Sequence, residues 1–281
     1  MQVANTIEAT RAAGRSARVT GKRVGLVPTM GALHEGHLSL VRIAKAQSQY
    51  VVVSIFVNPL QFGPTEDLDK YPRNFERDRD LLEAEEVDLI FAPAVNEMYR
   101  SAAVTFVNVE GLSEQLDGKS RPGHFRGVTT VVSKLFHIVE PEIAVFGQKD
   151  AAQVAVLKRM VRDLNMPVEI VVGPIVREPD GLAMSSRNVY LDAQQRKQAL
   201  VLSRSLQRIQ ERFQAGERNG ATLVTVGHEA FAKEPQVRLD YFAVVDPESL
   251  EAVEMVKGKA LVAVAAYVGT TRLIDNLVLR E

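Results

Sequence analysis

Apolar runs of strand length alternate with stretches of helical periodicity through the first part of the chain. Residues 50–57, YVVVSIFV, are apolar on both faces, which predicts a central parallel strand covered by helices on either side. Shorter runs at 23–28, 87–91, 142–146 and 168–172 predict further strands, the first of them stopped by Pro28, and 104–109 predicts one more. Between these lie helical stretches at 6–17, 37–47, 74–85, 127–139 and 150–163; in the second, Leu38, Leu40, Val41 and Ala44 share a face. Strands alternating with helices of about ten residues build βαβ units and a largely parallel sheet.

Past about residue 175 the pattern changes. A loop at 177–188 leads into charged helices at 193–215 and 221–233, then three strand-like runs at 237–245, 260–268 and 272–279. Helices followed by consecutive strands indicate an α+β unit with an antiparallel sheet. The expectation is an α/β chain of two domains, 1–175 with a parallel sheet and helices on both faces, and 176–281 as a smaller α+β domain.

Composition narrows the function. With 34 Lys plus Arg against 35 Asp plus Glu, the net charge is -1, which argues against a nucleic-acid footprint built on clustered base. Anionic ligands must then be met by a few placed residues. The chain has no cysteine, so disulfides, thiolate metal sites and cysteine nucleophiles are excluded, and the absence fits a reducing compartment without establishing one. Residues 1–23 are polar and carry several Arg, unlike a secretory signal or membrane anchor, and apolar runs such as 260–268 are far short of a bilayer span. A soluble cytoplasmic protein with no membrane partner is expected.

The segment PTMGALHEGH, 28–37, lies where the first long strand hands over to a helix. A helix N-terminus offers unpaired N–H groups and the positive end of a dipole, so phosphate binds there readily. Gly36 permits close backbone approach, and His34 and His37, at i and i+3, can reach one anion and, when protonated, stabilise charge developing on phosphorus. A zinc site would need a third ligand, and no HExxH pattern is present. In GLAMSSRN, 181–188, adjacent hydroxyls and an arginine fork suit phosphate oxygens; a capping segment is the alternative. In FGQKD, 146–150, Lys149 could neutralise a triphosphate and Asp150 accept from ribose, or Asp150 simply caps the next helix. Asn58, Gln61, Arg121, His124 and Gln153 stand near strand ends, where such groups read hydroxyls and carboxylates of small substrates or form turns. His137 and His228 read as structural.

The pairing of an HxGH segment with a later Ser-Ser-Arg loop resembles the nucleotidyltransferase superfamily, Rossmann-like in fold, that includes class I aminoacyl-tRNA synthetases. Within it, VPTMGALHEGH, VSIFVNPLQFGPTEDLDKYPR, SRPGHFRGV, FGQKDAAQ, REPDGLAMSSRNVYL and GTTRLIDN resemble, in order and over nearly the whole chain, the pantoate–β-alanine ligase (pantothenate synthetase) family. The resemblance implies ATP-dependent condensation of pantoate with β-alanine through a pantoyl adenylate, releasing AMP and pyrophosphate. It implies adenine near Met30 and Val176, ribose near Gly147 and Asp150, and ATP bounded by Gly31, Gly36 and Met184. Phosphates would be held by His34, His37, Lys149, Ser185, Ser186 and Arg187, with His37, His34, Lys149 and Arg187 catalytic. Pantoate would meet Gln61 and Gln153, with Asn58, Arg121 and His124 nearby. Mg²⁺ would bridge phosphates, with Asp78 a weak candidate for assistance, residues 176–281 would act as a lid, and a homodimer is expected. Gln148 stands where the family carries Glu, and Ala151 and Ala152 replace an aromatic-Gln pair, departures that could soften affinity.

Three rivals share parts of this pattern. An adenylyl- or cytidylyltransferase on another small substrate would share HxGH but lack the Gln61 and Gln153 set. A tRNA synthetase would need a basic anticodon-binding domain. A nucleotide sensor would bind without turnover.

Overall fold

The valine run read as doubly covered sits inside a six-stranded parallel sheet, where Val51 and Val53 face one helical layer and Val52 the other. The computed structural model describes residues 1–64, 66–100 and 103–281. Its strands are β1 Gln2–Ala4, β2 Val24–Thr29, β3 Tyr50–Ile55, β4 Leu89–Phe91, β5 Ile143–Gly147 and β6 Glu169–Gly173, in the order β1-β4-β3-β2-β5-β6. Helices α1 Ile7–Val19, α4 His124–Val139 and α5 Ala151–Asp163 cover one face; α2 Glu35–Gln47 and α3 Phe75–Ala84 cover the other. Strand order reverses between β2 and β5, and a ligand crevice opens outside the carboxyl ends of strands at such a reversal.

Three expectations need correction here. Pro28 does not stop its strand: β2 runs through it to Thr29, with Pro28 opposite Ser54 of β3. On the other side β2 pairs with β5 only at Gly25 and Leu26, so that ladder has ended before a donor is needed from Pro28. Residues 104–109 adopt no regular structure and join no sheet among the described residues. Side-chain hydroxyls replace the ladder there, Val107 N–H donating to Thr130 Oγ1 at 3.0 Å and its carbonyl accepting from Thr129 Oγ1 at 2.6 Å. Strand β1, three residues long, was not anticipated, since so short a run carries no periodicity.

The C-terminal part holds α6 Ala193–Ala199, α7 Val201–Gln214 and α8 Gly220–Phe231, then β7 Val237–Val245, β8 Lys259–Val268 and β9 Thr271–Arg280 in antiparallel order β7-β8-β9. The helix expected over 193–215 is interrupted by a turn at Leu200, where ψ is -11°. Past the exposed Lys259, strand β8 is apolar because both faces are covered. Val262, Val264 and Ala266 pack with Leu202, Leu206 and Leu223, whereas Leu261 and Ala263 join the core of the parallel sheet.

Candidate active site

Local sequence builds the mouth of α2 atom by atom. Gly31 takes φ +82°, where a side chain is rarely tolerated, and the chain then turns past the buried carboxylate of Asp78. Asp78 accepts from Ala32 N–H and Leu33 N–H, each at 2.8 Å, and so pins the loop. His34 is the N-cap of α2. Its Nδ1 accepts from Gly36 N–H at 3.2 Å, and His37 Nδ1 accepts from His34 N–H at 3.3 Å, a capping box made of two imidazoles. A Cβ on residue 36 would stand 2.9 Å from His34 Cε1, so only glycine fits under the ring.

These bonds decide the protonation of both rings. With each Nδ1 accepting, each Nε2 carries the hydrogen and is left as a donor. Burial pushes His34 down to about 4, helped by the Lys149 ammonium; burial, then His34 and Lys149, push His37 down to about 3. The rings, 4.1 Å apart, are neutral at physiological pH. Donation to phosphate oxygens, expected from the spacing, is open to both rings through Nε2–H in this form, beside Lys149.

Two connected spaces lie outside the ends of β2 and β5. The inner chamber, about 180 Å³, is lined by Met30, His37, Asn58, Gln61, Gln153 and Arg187 over an apolar floor that includes Val131 and Phe146. The outer cleft, about 730 Å³, is lined by Lys149, Asp150, Ser185, Arg187 and residues of β9. Arg121, His124, Asp150, Gln153 and Arg187 border both. Asn58 is buried and braces the chamber: its amide donates to Gln61 Oε1 at 3.0 Å and to the Gly127 carbonyl at 3.1 Å, and its Oδ1 accepts from Tyr99 OH at 2.8 Å. Gln61 in turn reaches Met30 Sδ at 3.2 Å. His124 Nδ1–H donates to the Gln61 carbonyl at 2.8 Å while its Nε2 accepts from Arg121 at 3.0 Å. Burial and Arg121 hold His124 down to about 4, also neutral.

Both arginines bordering the two spaces are held by carboxylates from one segment. Arg121 grips Glu66 through Nε at 2.7 Å and Nη2 at 2.5 Å; Arg187 grips Asp67 through Nε at 2.9 Å and Nη2 at 2.8 Å. Burial would raise the Glu66 carboxyl, but the Arg121 fork outweighs it and keeps the group below the ordinary range. The same segment sends Tyr71 OH to Ser186 Oγ at 3.1 Å. Ser185 Oγ accepts from Arg187 N–H at 3.2 Å, and Met184 N–H pairs with the Val176 carbonyl at 3.0 Å, placing that strip beside Gly36. Gly147 ends β5 under Lys149.

The structure thus brings Lys149, Asp150, Ser185 and Arg187 to the outer cleft and Met30 and His37 to the chamber with the amide set, Asp150 and Arg187 bordering both; Gly31, His34, Gly36, Gly147, Val176, Met184 and Ser186 line neither space. Sequence reasoning passed over Glu66, Asp67, Tyr71, Tyr99 and Asn276. All but Tyr99 lie inside segments quoted for the resemblance, yet nothing in their spacing marks them. His137, whose Nδ1–H donates to the Ser133 carbonyl at 2.7 Å, and His228, packed 6.2 Å from Phe242, lie outside the cleft.

A profile of the family described as Pantoate-beta-alanine ligase matches residues 2–278. The chain is 58% identical to pantothenate synthetase from Thermoanaerobacter sp. strain X514 over 281 residues, covering 100% of this chain and 99% of that one. Its fold is similar to the crystal structure of pantothenate synthetase from Thermus thermophilus, with TM-score 0.93, 48% identity and 99% of each chain covered. It is also similar to pantoate-beta-alanine ligase from Francisella tularensis complexed with beta-gamma ATP and beta-alanine, with TM-score 0.80, 32% identity, and 99% of this chain and 97% of that one covered.

Proposed function

The chain belongs to the pantoate–beta-alanine ligase family, an ATP-dependent carbon–nitrogen ligase family, and from that premise we propose how its cleft performs the reaction. The observation that carries the reading is the imidazole pair His34 and His37 at the N-terminus of α2, each Nδ1 accepting a backbone N–H, beside the cleft lined by Lys149, Ser185 and Arg187.

ATP spans the outer cleft and the border of the chamber, with adenine near Met30 and Val176, ribose at Gly147 and Asp150, and Gly31, Gly36 and Met184 against the nucleotide. The phosphates meet His34 and His37 Nε2–H, Lys149, the two serines and Arg187, whose fork transfers from Asp67 to phosphate. Pantoate occupies the inner chamber, whose apolar floor suits its methyl groups and whose Gln61 and Gln153 amides suit its hydroxyls; Asn58 braces Gln61, and Arg121 and His124 border the carboxylate. A pantoate carboxylate oxygen attacks the α-phosphorus, and the bond from that phosphorus to the β-phosphate oxygen breaks, expelling pyrophosphate. The amine of β-alanine then attacks the acyl carbon, AMP leaves with the former carboxylate oxygen, and the amine gives up a proton. Displacement at phosphorus needs alignment and charge stabilisation rather than a protein nucleophile. Neutral donors act where charge develops without repelling Lys149, and burial strengthens them.

Among the described residues no three His, Asp or Glu side chains converge on a metal site, while Asp69 and Asp150 line the cleft. This donor set fits Mg²⁺ carried in by the nucleotide, which Asp69 and Asp150 would help to hold. Such an ion supplies neutralisation of the β- and γ-phosphates. Residues 176–281 act as the lid through the loop at 185–187, shielding the mixed anhydride from water. Among the described residues no helix is long and apolar enough to cross a membrane. The family resemblance and the cysteine-free composition support a homodimer working in the cytoplasm.

Pantoate labelled with ¹⁸O in its carboxylate tests the chemistry. One labelled oxygen should appear in AMP once β-alanine and ATP are supplied; unlabelled AMP, or ADP as the product, would contradict an acyl-adenylate route.

A further inference from the structure

Strand β9 carries three polar residues that reach three site-bearing segments. Arg272 lies between Asp240, which accepts from its Nε and Nη2 at 3.0 and 2.8 Å, and Asp117, an ion pair at 2.8 Å beside the turn leading to Arg121. Asp275 takes the Arg177 fork at 2.7 and 2.9 Å, fixing the strip that leads to Met184. Asn276 addresses the phosphate side of the cleft. Its buried side chain donates from Nδ2 to the Gln148 carbonyl at 2.9 Å and to the Lys149 carbonyl at 2.8 Å, and its Oδ1 accepts from Gln148 Nε2 at 3.0 Å.

Those two carbonyls belong to the peptide planes on either side of the Lys149 Cα. Pinning both planes fixes the direction of the Cα–Cβ bond, and with it the arc that the ammonium can sweep. The turn at 148–150 has little else to hold it, since its N-cap Gly147 has no side chain and Asp150 makes no side-chain cap for α5. Both Nδ2 hydrogens and the Oδ1 of Asn276 are used on this one turn. Gln148, the departure from the family's Glu, is what supplies the hydrogen for Oδ1. We propose that Asn276 is a positioning residue for Lys149, holding its backbone so that the ammonium meets the triphosphate; the proposal rests on the reading of Lys149 as a phosphate-binding group.

The test measures pantoate-dependent exchange of labelled pyrophosphate into ATP, which reports adenylation alone, together with thermal melting, for the native chain, N276A, K149A and the double variant. N276A should lower kcat for exchange about tenfold while leaving the pantoate KM within about twofold, because misplacing a catalytic group affects the transition state more than the ground state. K149A should lose more than about tenfold. The double variant should be no slower than K149A alone, within about twofold, since Asn276 acts only through the lysine. N276D keeps the size and removes the two N–H donors, and it is read in place of N276A if the latter does not melt cooperatively. Near-native exchange in N276A, a double variant whose loss is the product of the two single losses, or failure of both Asn276 variants to melt cooperatively would each overturn the positioning role. A native chain that gives no pantoate-dependent exchange would instead overturn the assigned reaction.

Discussion

At the scale of single residues, the two histidines at the mouth of α2 are set by what their Nδ1 atoms accept. A capping box needs acceptors, and an imidazole that accepts at Nδ1 from a backbone N–H is neutral with its hydrogen on Nε2. Burial reinforces that state, holding His34 to about 4 and His37 to about 3, and His124 behaves alike at about 4. In the unfolded chain these rings take a proton at about 6.5, whereas the folded chain refuses it until much lower pH. Their contribution is therefore intact above pH 6.5, and stability falls as pH drops from there toward 4 and below. Denaturation followed from pH 8 to 4 should show a flat region above 6.5 and a loss beneath it, and turnover should show no step between pH 8 and 6. A step in turnover with a midpoint near 6.5 that disappears in H37A would mean that a protonated ring is the working form.

At the scale of elements, the phosphate-binding geometry is held from outside the elements that display it. The loop between β2 and α2 is tied to α3 by Asp78, whose two oxygens receive Ala32 N–H and Leu33 N–H. Replacing Asp78 with Asn leaves one of those N–H groups facing an NH₂, so D78N should cost about 2–3 kcal/mol of stability and lower turnover as well. Unchanged melting would show that the loop holds its shape without the carboxylate. Much of this framework was legible in the chain. Hydrophobic periodicity located α2, β3, α5 and β8, because each buries a continuous stripe or both faces. The segment at 104–109 misled because its backbone can be satisfied by the hydroxyls of Thr129 and Thr130 as well as by a neighbouring strand. The HxGH motif marked a candidate anion site, but its charge state depends on burial and on hydrogen bonds across a fold that spacing does not contain. Asn276 was invisible as a site residue for the same reason: its partners are 127 and 128 residues away.

At the scale of the whole molecule, the two sheets share apolar contact. Leu261 and Ala263 of β8, with Val245 and Leu250, belong to the core of the parallel sheet, while the other face of β8 packs on α7 and α8. Separating the sheets would expose that surface and break the Arg187–Asp67 ion pair, which ties the C-terminal part to the first, so the closure proposed above is one of loops on the cleft side. The Glu66 and Asp67 carboxylates keep the two partly buried guanidinium groups of Arg121 and Arg187 paired. Everything in the proposed chemistry depends on the triphosphate docking where β2 hands over to α2, and a crystal structure with a non-hydrolysable ATP analogue and pantoate reads this directly. Phosphate oxygens should lie within hydrogen-bond distance of His34 Nε2, His37 Nε2 and Lys149 Nζ, with Arg187 released from Asp67. A nucleotide bound elsewhere, with both imidazoles out of contact with phosphate, would contradict the account.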